Sequence, residues 1–149
     1  MTSKQTSTRK LLALCCRVLD EKKADDIKVL DVSQQSSITD YLVVVTATSG
    51  PHMRALRVEI EKALDAADTH IVGMESAGES GWMVIDVFDV MIHLFLAETR
   101  ERFGLERLWR DATELSVAKI LGKDDPKPKA KATRARAGTA AKKPRKKAE

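Results

Sequence analysis

The sequence predicts a single small α/β domain with a mixed sheet of about five strands and flanking helices, followed by a disordered basic tail. Two segments space their apolar residues at three and four positions, which is typical of amphipathic helices. Five shorter runs are rich in aliphatic residues and predict strands. Large apolar residues cease after Gly122. We therefore expect a flexible leader over residues 1–8, a domain over residues 9–122 and a tail over residues 123–149.

The first predicted helix spans residues 9–23, and Ser7 or Thr8 can cap it. Its apolar stripe consists of Leu11, Leu12, Cys15, Val18 and Leu19. Because Cys15 and Cys16 are adjacent, they cannot close an ordinary disulfide loop, and they lack the paired spacing of zinc ligands. We expect both thiols to pack in the core of a protein from a reducing compartment.

The next elements are two strands and a helix. Residues 27–32 alternate apolar and polar side chains with one phase slip, which predicts a strand. Tyr41–Ala47 is a nearly continuous apolar run and predicts a central strand that is buried on both faces. Ser49 can cap free amides and Pro51 suits a first helical turn, so a second helix is predicted from here to about Asp68.

The remaining predicted elements complete the sheet and return the chain across it. Residues 70–75 predict a third strand, which makes a β-α-β crossover with the preceding strand and helix. Residues 82–87 and 91–96 are apolar runs joined by a short turn, and they predict a hairpin. Residues 98–110 predict a short or broken helix, and residues 114–121 predict one more.

The net charge of +4 hides two parts of opposite sign. Residues 123–149 contain 11 Lys or Arg and 3 acidic residues, so the tail carries +8 and the first 122 residues, with 15 basic and 19 acidic, carry −4. The tail has no aromatic residue to stack on a base. Any nucleic-acid contact by the tail would therefore be directed at the phosphate backbone and sensitive to salt, and the alternative is an unbound tail that adds solubility.

The expected location is the cytoplasm. No stretch reaches the roughly 18 uncharged apolar residues that a membrane-spanning helix needs. Residues 1–10 lack the apolar core of a secretory signal.

The residues that could support catalysis are few. Asp86 and Asp89 are three positions apart, so on a regular strand they face opposite sides and do not share a metal ion unless the turn re-aims Asp89. The free amides before the second helix could hold a phosphate, but no Gly-Lys-Ser/Thr sequence follows them. His52 is interpreted as a surface contact or a partner of Asp40, and His93 as a core histidine. The sequence therefore predicts no enzyme, no metal and no cofactor.

The fourth predicted strand carries the most informative pattern. Trp82, Val84 and Asp86 share one face of this strand, and Met83, Ile85 and Val87 share the other. Two long helices are too few to cover both faces of a five-stranded sheet, so an apolar patch edged with carboxylates is a candidate protein-binding surface. The alternative is that the C-terminal helical turns bury Trp82.

Several short motifs occur in a fixed order between residues 10 and 109. They are Ser37-Ile38-Thr39-Asp40-Tyr41, Thr46-Ala47-Thr48-Ser49 with His52, Trp82, residues 86–95 (DVFDVMIHLF), and Arg100 with residues 105–109 (LERLW). In these motifs the chain resembles the ribosomal silencing factors, the Iojap-like family. The resemblance implies a nucleotidyltransferase-like α/β fold without that chemistry.

The resemblance also implies a function. Proteins of this family bind the universal large-subunit ribosomal protein fourteen, block joining of the small subunit and so repress translation, and they are often homodimers. It implies that Trp82 contacts the ribosomal protein, with Met83 beside it and with Glu75, Asp86 and Asp89 facing a basic partner. The tail would touch nearby ribosomal RNA phosphates. Two alternatives are a degenerate nucleotidyltransferase that binds a nucleotide at residues 48–52 and a large-subunit assembly factor.

One residue departs from the family pattern. The family commonly has Gly before the Asp at position 89, and this chain has Phe88. Gly adopts a positive φ freely, whereas Phe would be strained there, so the sequence leaves the geometry of the hairpin turn open.

Overall fold

The structure, a computed structural model, describes residues 3–76 and 81–122. The predicted tail, the first two residues of the leader and most of the turn at residues 78–81 lie outside the described residues. In chain order the elements are α1 (Ser3–Glu21), β1 (Asp25–Asp31), β2 (Tyr41–Ala47), α2 (Gly50–Ala66), β3 (Gly73–Ser76), β4 (Trp82–Asp86), β5 (Val90–Leu96), α3 (Ala97–Phe103), α4 (Leu105–Leu108), β6 (Thr113–Leu115) and α5 (Val117–Ile120).

The strands form one mixed sheet in the order β3-β4-β5-β2-β1-β6. β2 and β5 are parallel, and every other neighbouring pair is antiparallel. β3 therefore runs parallel to β2 but is separated from it by β4 and β5, with α2 as the crossover. The mixed α/β architecture, the central position of β2 and the β4–β5 hairpin are confirmed.

Three predicted elements need correction. The sheet has six strands among the described residues, because residues 113–115 pair with β1 before α5 begins at Val117. α1 begins at Ser3, since the helix extends through the polar residues that precede its apolar stripe. β3 begins at Gly73 rather than at residue 70. The chain just before it still belongs to the end of α2, where Thr69 N–H donates to the carbonyl of Leu64 at 2.8 Å.

α1 and α2 cover one face of the sheet and form the main core with it. Its buried residues include Leu12, Cys15, Cys16, Leu19, Leu56, Ile60, Leu64, Val43, Val45, Ile85, Ile92 and Leu94. Burial raises the pKa of both Cys15 and Cys16 to about 12, so the thiols stay protonated and pack as small apolar groups. The predicted core role of the cysteines is confirmed.

The second face of the sheet is covered only over its middle and one side. Trp109 and Ala112 pack on Leu30 and Leu42, and Leu105 packs on a cluster with Val44 and Phe95. Phe103 reaches β4, where its ring contacts Trp82 with centroids 4.8 Å apart, whereas Glu75 of β3 is exposed on this face. The second face is therefore open at the β3 edge.

Arg100 fastens α3 and α4 to this face. Its guanidinium is buried and donates to both carboxylate oxygens of Glu106, at 2.9 and 3.1 Å. Its Nη1 donates to the carbonyl of Asp26 and to Oγ1 of Thr46, both at 2.8 Å. Gly104 allows the sharp turn between the helices, because its φ is +57°.

Within residues 3–76 and 81–122, the helices are all too short or too polar to cross a lipid bilayer.

Candidate protein-binding surface

The register of the sheet brings residues from β3, β4 and β5 onto the open part of the second face. Glu75 pairs with Val84, and Val84 pairs with His93. Paired residues in antiparallel strands point to the same side of a sheet, and so do alternate residues along a strand. Glu75, Trp82, Val84 and Asp86 therefore share this face. We call these four residues the Trp82 face.

Trp82 is half-buried and sits in an aromatic cluster. Its ring stacks on that of Phe95 with centroids 5.1 Å apart, and it makes a tilted contact with the ring of Phe103 with centroids 4.8 Å apart. Its Nε1 donates a hydrogen bond of 3.0 Å to Nδ1 of His93. The outcome lies between the two alternatives from the sequence, because the C-terminal helical turns cover one part of the indole and leave another part open.

The open part of the indole lines a surface cavity of about 620 Å³. The other lining residues are Met74, Glu75, Ser76 and Val84. Glu75 is exposed at its edge, and Asp86 is half-buried on the same face. The cavity therefore combines an apolar floor with a carboxylate rim, a combination that suits a basic protein partner.

His93 is buried beneath this surface, with 6% of its area exposed. Burial lowers the pKa of its imidazole from 6.5 to about 4, so the ring is neutral at physiological pH. An indole N–H can only donate, so Nδ1 of His93 accepts and the ring proton resides on Nε2. The predicted core histidine is confirmed, and its partner is Trp82.

Two of the five predicted contact residues do not join the Trp82 face. Met83 points to the opposite side of β4, where it is 7% exposed and packs in the main core with α2 residues such as Met53. Asp89 lies in the hairpin turn, where its Oδ2 accepts a hydrogen bond from Oγ1 of Thr8 at 3.2 Å. Alternation along β4 accounts for the position of Met83.

The hairpin turn has the conformation that the sequence marks as strained. Phe88 has a φ of +74°, and its side chain is 73% exposed. Its backbone N–H donates to Oδ1 of Asp86 at 3.1 Å.

Among residues 3–76 and 81–122, no group of three or more His, Cys, Asp or Glu side chains could hold a metal ion.

The turn before α2 satisfies its own backbone groups. Ser49 Oγ accepts from the N–H of His52 at 3.1 Å, and the Ser49 carbonyl accepts from the N–H of Met53 at 2.9 Å. His52 Nδ1 accepts from the N–H of Thr48, so Nε2 carries the proton and donates to the carbonyl of Lys22, each at 2.9 Å. The predicted cap is confirmed, and the partner of His52 is Lys22 rather than Asp40.

The sequence did not predict how two residues of α3 shape the Trp82 face. Phe103 and Arg100 lie on α3, where the sequence predicted only a short or broken helix, with Arg100 as one of the motif residues of the family resemblance. Phe103 is 47% exposed and contacts the indole, and Arg100 anchors the helix. The sequence did contain one signal, because Arg100 and Glu106 have opposite charges and lie on either side of Gly104. Such a pair suggests two short helices that meet at a glycine turn.

The chain is similar to known proteins over most of its length. The family described as "Ribosomal silencing factor during starvation" matches residues 5–147, a wider range than the motifs between residues 10 and 109 cover. A ribosomal silencing factor from Bacillus subtilis is 33% identical over 108 residues, which span 72% of this chain and 89% of that protein.

Two further similarities concern an animal protein and a crystal structure. A mouse protein named "Mitochondrial assembly of ribosomal large subunit protein 1" is 35% identical over 95 residues, which span 62% of this chain and 42% of that protein. A crystal structure of a Chromobacterium violaceum protein superposes with a TM-score of 0.64 at 27% identity, covering 79% of this chain and 88% of that one.

Proposed function

The chain belongs to the ribosomal silencing factor family, and from this premise we propose that it binds the large ribosomal subunit and blocks joining of the small subunit. The proposed contact on the large subunit is the universal large-subunit protein fourteen, and the mechanism is steric exclusion. The chain performs no chemistry and needs no cofactor in this role. The consequence is repression of translation in the cytoplasm.

The observation that carries this proposal is the combination of Trp82 and Glu75 in one open cavity. Half-buried aromatic residues are frequent energetic centres of protein interfaces, because they bury a large area at a small entropy cost. A carboxylate at the rim favours a basic partner over bare RNA. The net charge of −4 on the first 122 residues acts in the same direction, since complementary charge speeds encounter and fixes orientation.

The test is sedimentation of purified large and small subunits with and without the protein. We expect the wild-type protein to sediment with the large subunit and to reduce the joined-ribosome peak, and Trp82→Ala to do neither. Ile38→Ala is the matched control, because Ile38 is an exposed apolar side chain in the loop before β2, outside the cavity. Normal joining in the presence of the wild-type protein, with none of it in the large-subunit peak, would contradict the proposal.

The mouse relative favours a second role, in assembly of the large subunit. This role would use the same contact at an earlier time, on a maturing particle. Cells depleted of the protein would then accumulate large-subunit precursors. Depletion that changes only the ratio of joined to free subunits would instead support silencing alone.

Two finer features belong to the same proposal. We propose that the free protein is a homodimer, which light scattering on the purified protein would test. We also propose that residues 123–149 contact ribosomal RNA phosphates near the bound domain, because their 11 Lys or Arg residues supply positive charge without any aromatic residue for reading bases.

A further inference from the structure

We propose that His93 is a positioning residue that takes up the only side-chain hydrogen-bond donor of Trp82, so that the indole meets its partner through ring surface alone. This inference rests on the proposed function, because it concerns how Trp82 contacts the large subunit. It assigns a role in recognition to a side chain that is itself buried below the contact surface.

The indole of Trp82 can donate only one hydrogen bond. Trp has one polar hydrogen, on Nε1, and no acceptor. That hydrogen is directed at Nδ1 of His93, 3.0 Å away. A partner that approaches the Trp82 face therefore finds no free N–H on this side chain. Trp and Tyr at interfaces commonly combine an apolar body with a polar group, and here the polar group already has a partner.

The orientation of the indole depends on its contact with His93. The contacts of Trp82 with Phe95 and Phe103 are ring contacts at 5.1 and 4.8 Å, and such contacts tolerate sliding and rotation of the ring in its own plane. The bond to His93 is directional, because both Nε1–H and the Nδ1 lone pair lie in their ring planes. His93 thus selects one in-plane orientation of the indole and determines which edge lines the cavity.

His93 is held in place by its own neighbours. It lies within β5, where it is opposite Val84 on β4 and opposite Val44 on β2. Its ring is nearly parallel to that of Phe95, at an interplanar angle of 12°. A buried side chain on a strand with neighbours on both sides has little freedom to move, so it can hold Trp82 before the partner arrives. Such preorganisation lowers the entropy cost of binding.

The test uses three variants of the full chain. His93→Phe keeps an aromatic ring of similar size and removes the acceptor, whereas His93→Gln supplies an amide oxygen that can accept. Trp82→Phe removes the donor. The first measurement is the ¹H–¹⁵N resonance of the Trp82 indole, with Trp109→Phe used for assignment. We expect slow solvent exchange of the indole N–H in the wild type, at least tenfold faster exchange in His93→Phe, and recovery in His93→Gln.

The second measurement is affinity for purified large subunits at a temperature where each variant gives a native circular dichroism spectrum. We expect His93→Phe to bind at least fivefold more weakly, His93→Gln to recover most of the affinity, and His93→Phe to have no further effect in a Trp82→Phe background. A purely structural role would lower thermal stability of both His93 variants without this dependence on Trp82. If His93→Phe does not fold, His93→Leu, which also lacks an acceptor, takes its place in the thermodynamic cycle with Trp82→Phe.

The outcomes separate this inference from the proposed function. Unchanged subunit binding by Trp82→Ala would contradict the contact itself. Weakened binding by Trp82→Ala, together with unchanged binding by His93→Phe, would leave the contact in place and overturn the positioning role. Equal indole exchange rates in the wild type and His93→Phe would also overturn it.

Discussion

Oδ1 of Asp86 accepts a hydrogen bond of 3.1 Å from the backbone N–H of Phe88, across a hairpin turn in which Phe88 has a φ of +74°. The turn has two residues between the paired Val87 and Val90, and the N–H of Val87 donates to the carbonyl of Val90 at 2.9 Å. Two-residue hairpins need positive φ because their twist must match that of the strands. The carboxylate of Asp86 thus helps to hold Phe88 in a backbone conformation that glycine adopts much more readily than a bulky residue does.

We predict that Phe88→Gly stabilises the protein by about 0.5–1 kcal/mol. The substitution removes backbone strain of about 1–2 kcal/mol, and the larger conformational entropy of glycine in the unfolded chain offsets part of this gain. Phe88 is 73% exposed, so the substitution removes little buried area. Chemical denaturation measures the change. Phe88→Ala is the control, because Ala removes the ring but keeps the strain. An equal gain from Ala would attribute the effect to the ring and contradict the role of φ.

The buried imidazole of His93 makes stability depend on pH. Its pKa is 6.5 in a solvated state and falls to about 4 in the folded protein because burial disfavours the charged ring. The unfolded chain therefore binds more protons than the folded one between these pH values, and stability decreases as the pH falls from about 6.5 to 4. The expected loss from this residue is about 3 kcal/mol at pH 4.

The control for this prediction is His93→Phe, compared with the wild type by denaturation at several pH values. Glu106 and other carboxylates also become protonated in acid, but they do so in both proteins. The wild type should therefore lose stability relative to His93→Phe as the pH falls from 6.5 to 4. A difference that is constant over this range would show that His93 is solvated in the folded state.

We predict that Arg100→Met costs about 3 kcal/mol, because it leaves the carbonyl of Asp26 and the hydroxyl of Thr46 without their donor and removes the bidentate pair with Glu106. Arg100→Lys should recover only part of this stability, since an ammonium cannot bind a carboxylate in the same forked geometry.

The matched control for Arg100 is Arg102→Met, at an exposed position on the same helix, with an expected effect below about 0.5 kcal/mol. The pKa of Glu106 provides a second readout. Hydrogen bonding from Arg100 is the main cause that lowers the pKa of this carboxyl, so the pKa should rise in Arg100→Met. An unchanged Glu106 pKa would contradict the contact.

The sequence predicted elements well where local chemistry determines them. β2 has its predicted bounds, because a continuous Val-rich run can be buried on both faces of a sheet. α2 begins where Ser49 and Pro51 place it, since a side-chain cap and a missing N–H are properties of single residues. β6 was missed because three residues are too few to show a period of two.

The Trp82 face was only partly predictable. Alternation along β4 correctly grouped Trp82 with Asp86 and separated both from Met83. The family resemblance implied that Met83 lies beside Trp82 in the contact, and this expectation conflicted with the alternation along the strand. The positions of Glu75, His93 and Phe103 depend on strand order and on the fold of α3 across the sheet. Such contacts join residues that are far apart in sequence, and no local pattern specifies them.

His52 joins the C-terminal end of α1 to the start of α2 through the carbonyl of Lys22 and the N–H of Thr48. We predict that His52→Ala destabilises the protein by about 1 kcal/mol, a modest amount because water can replace partners at this exposed site. His52→Asn, which keeps an acceptor, should be destabilised less, and His70→Ala on the surface should change stability very little. Thermal denaturation ranks the three. Equal stability of His52→Ala and the wild type would mean that the bridge contributes nothing.

The basic tail gives a prediction about salt. Each Lys or Arg that contacts a phosphate releases bound counterions, so affinity falls with salt concentration more steeply as the number of such phosphates grows. We predict that a chain ending at Gly122 binds large subunits more weakly at low salt. The slope of log affinity against log salt should become shallower by about 1 for each phosphate that the tail neutralises in the full-length chain.

A full-length chain with all 11 tail Lys and Arg residues changed to Gln separates the charge of the tail from its length and should match the truncated chain. If truncation leaves both the affinity and the slope unchanged, the tail does not touch RNA, and the domain alone accounts for binding. If truncation weakens binding but the Gln-substituted tail does not, the tail contributes through its length rather than its charge.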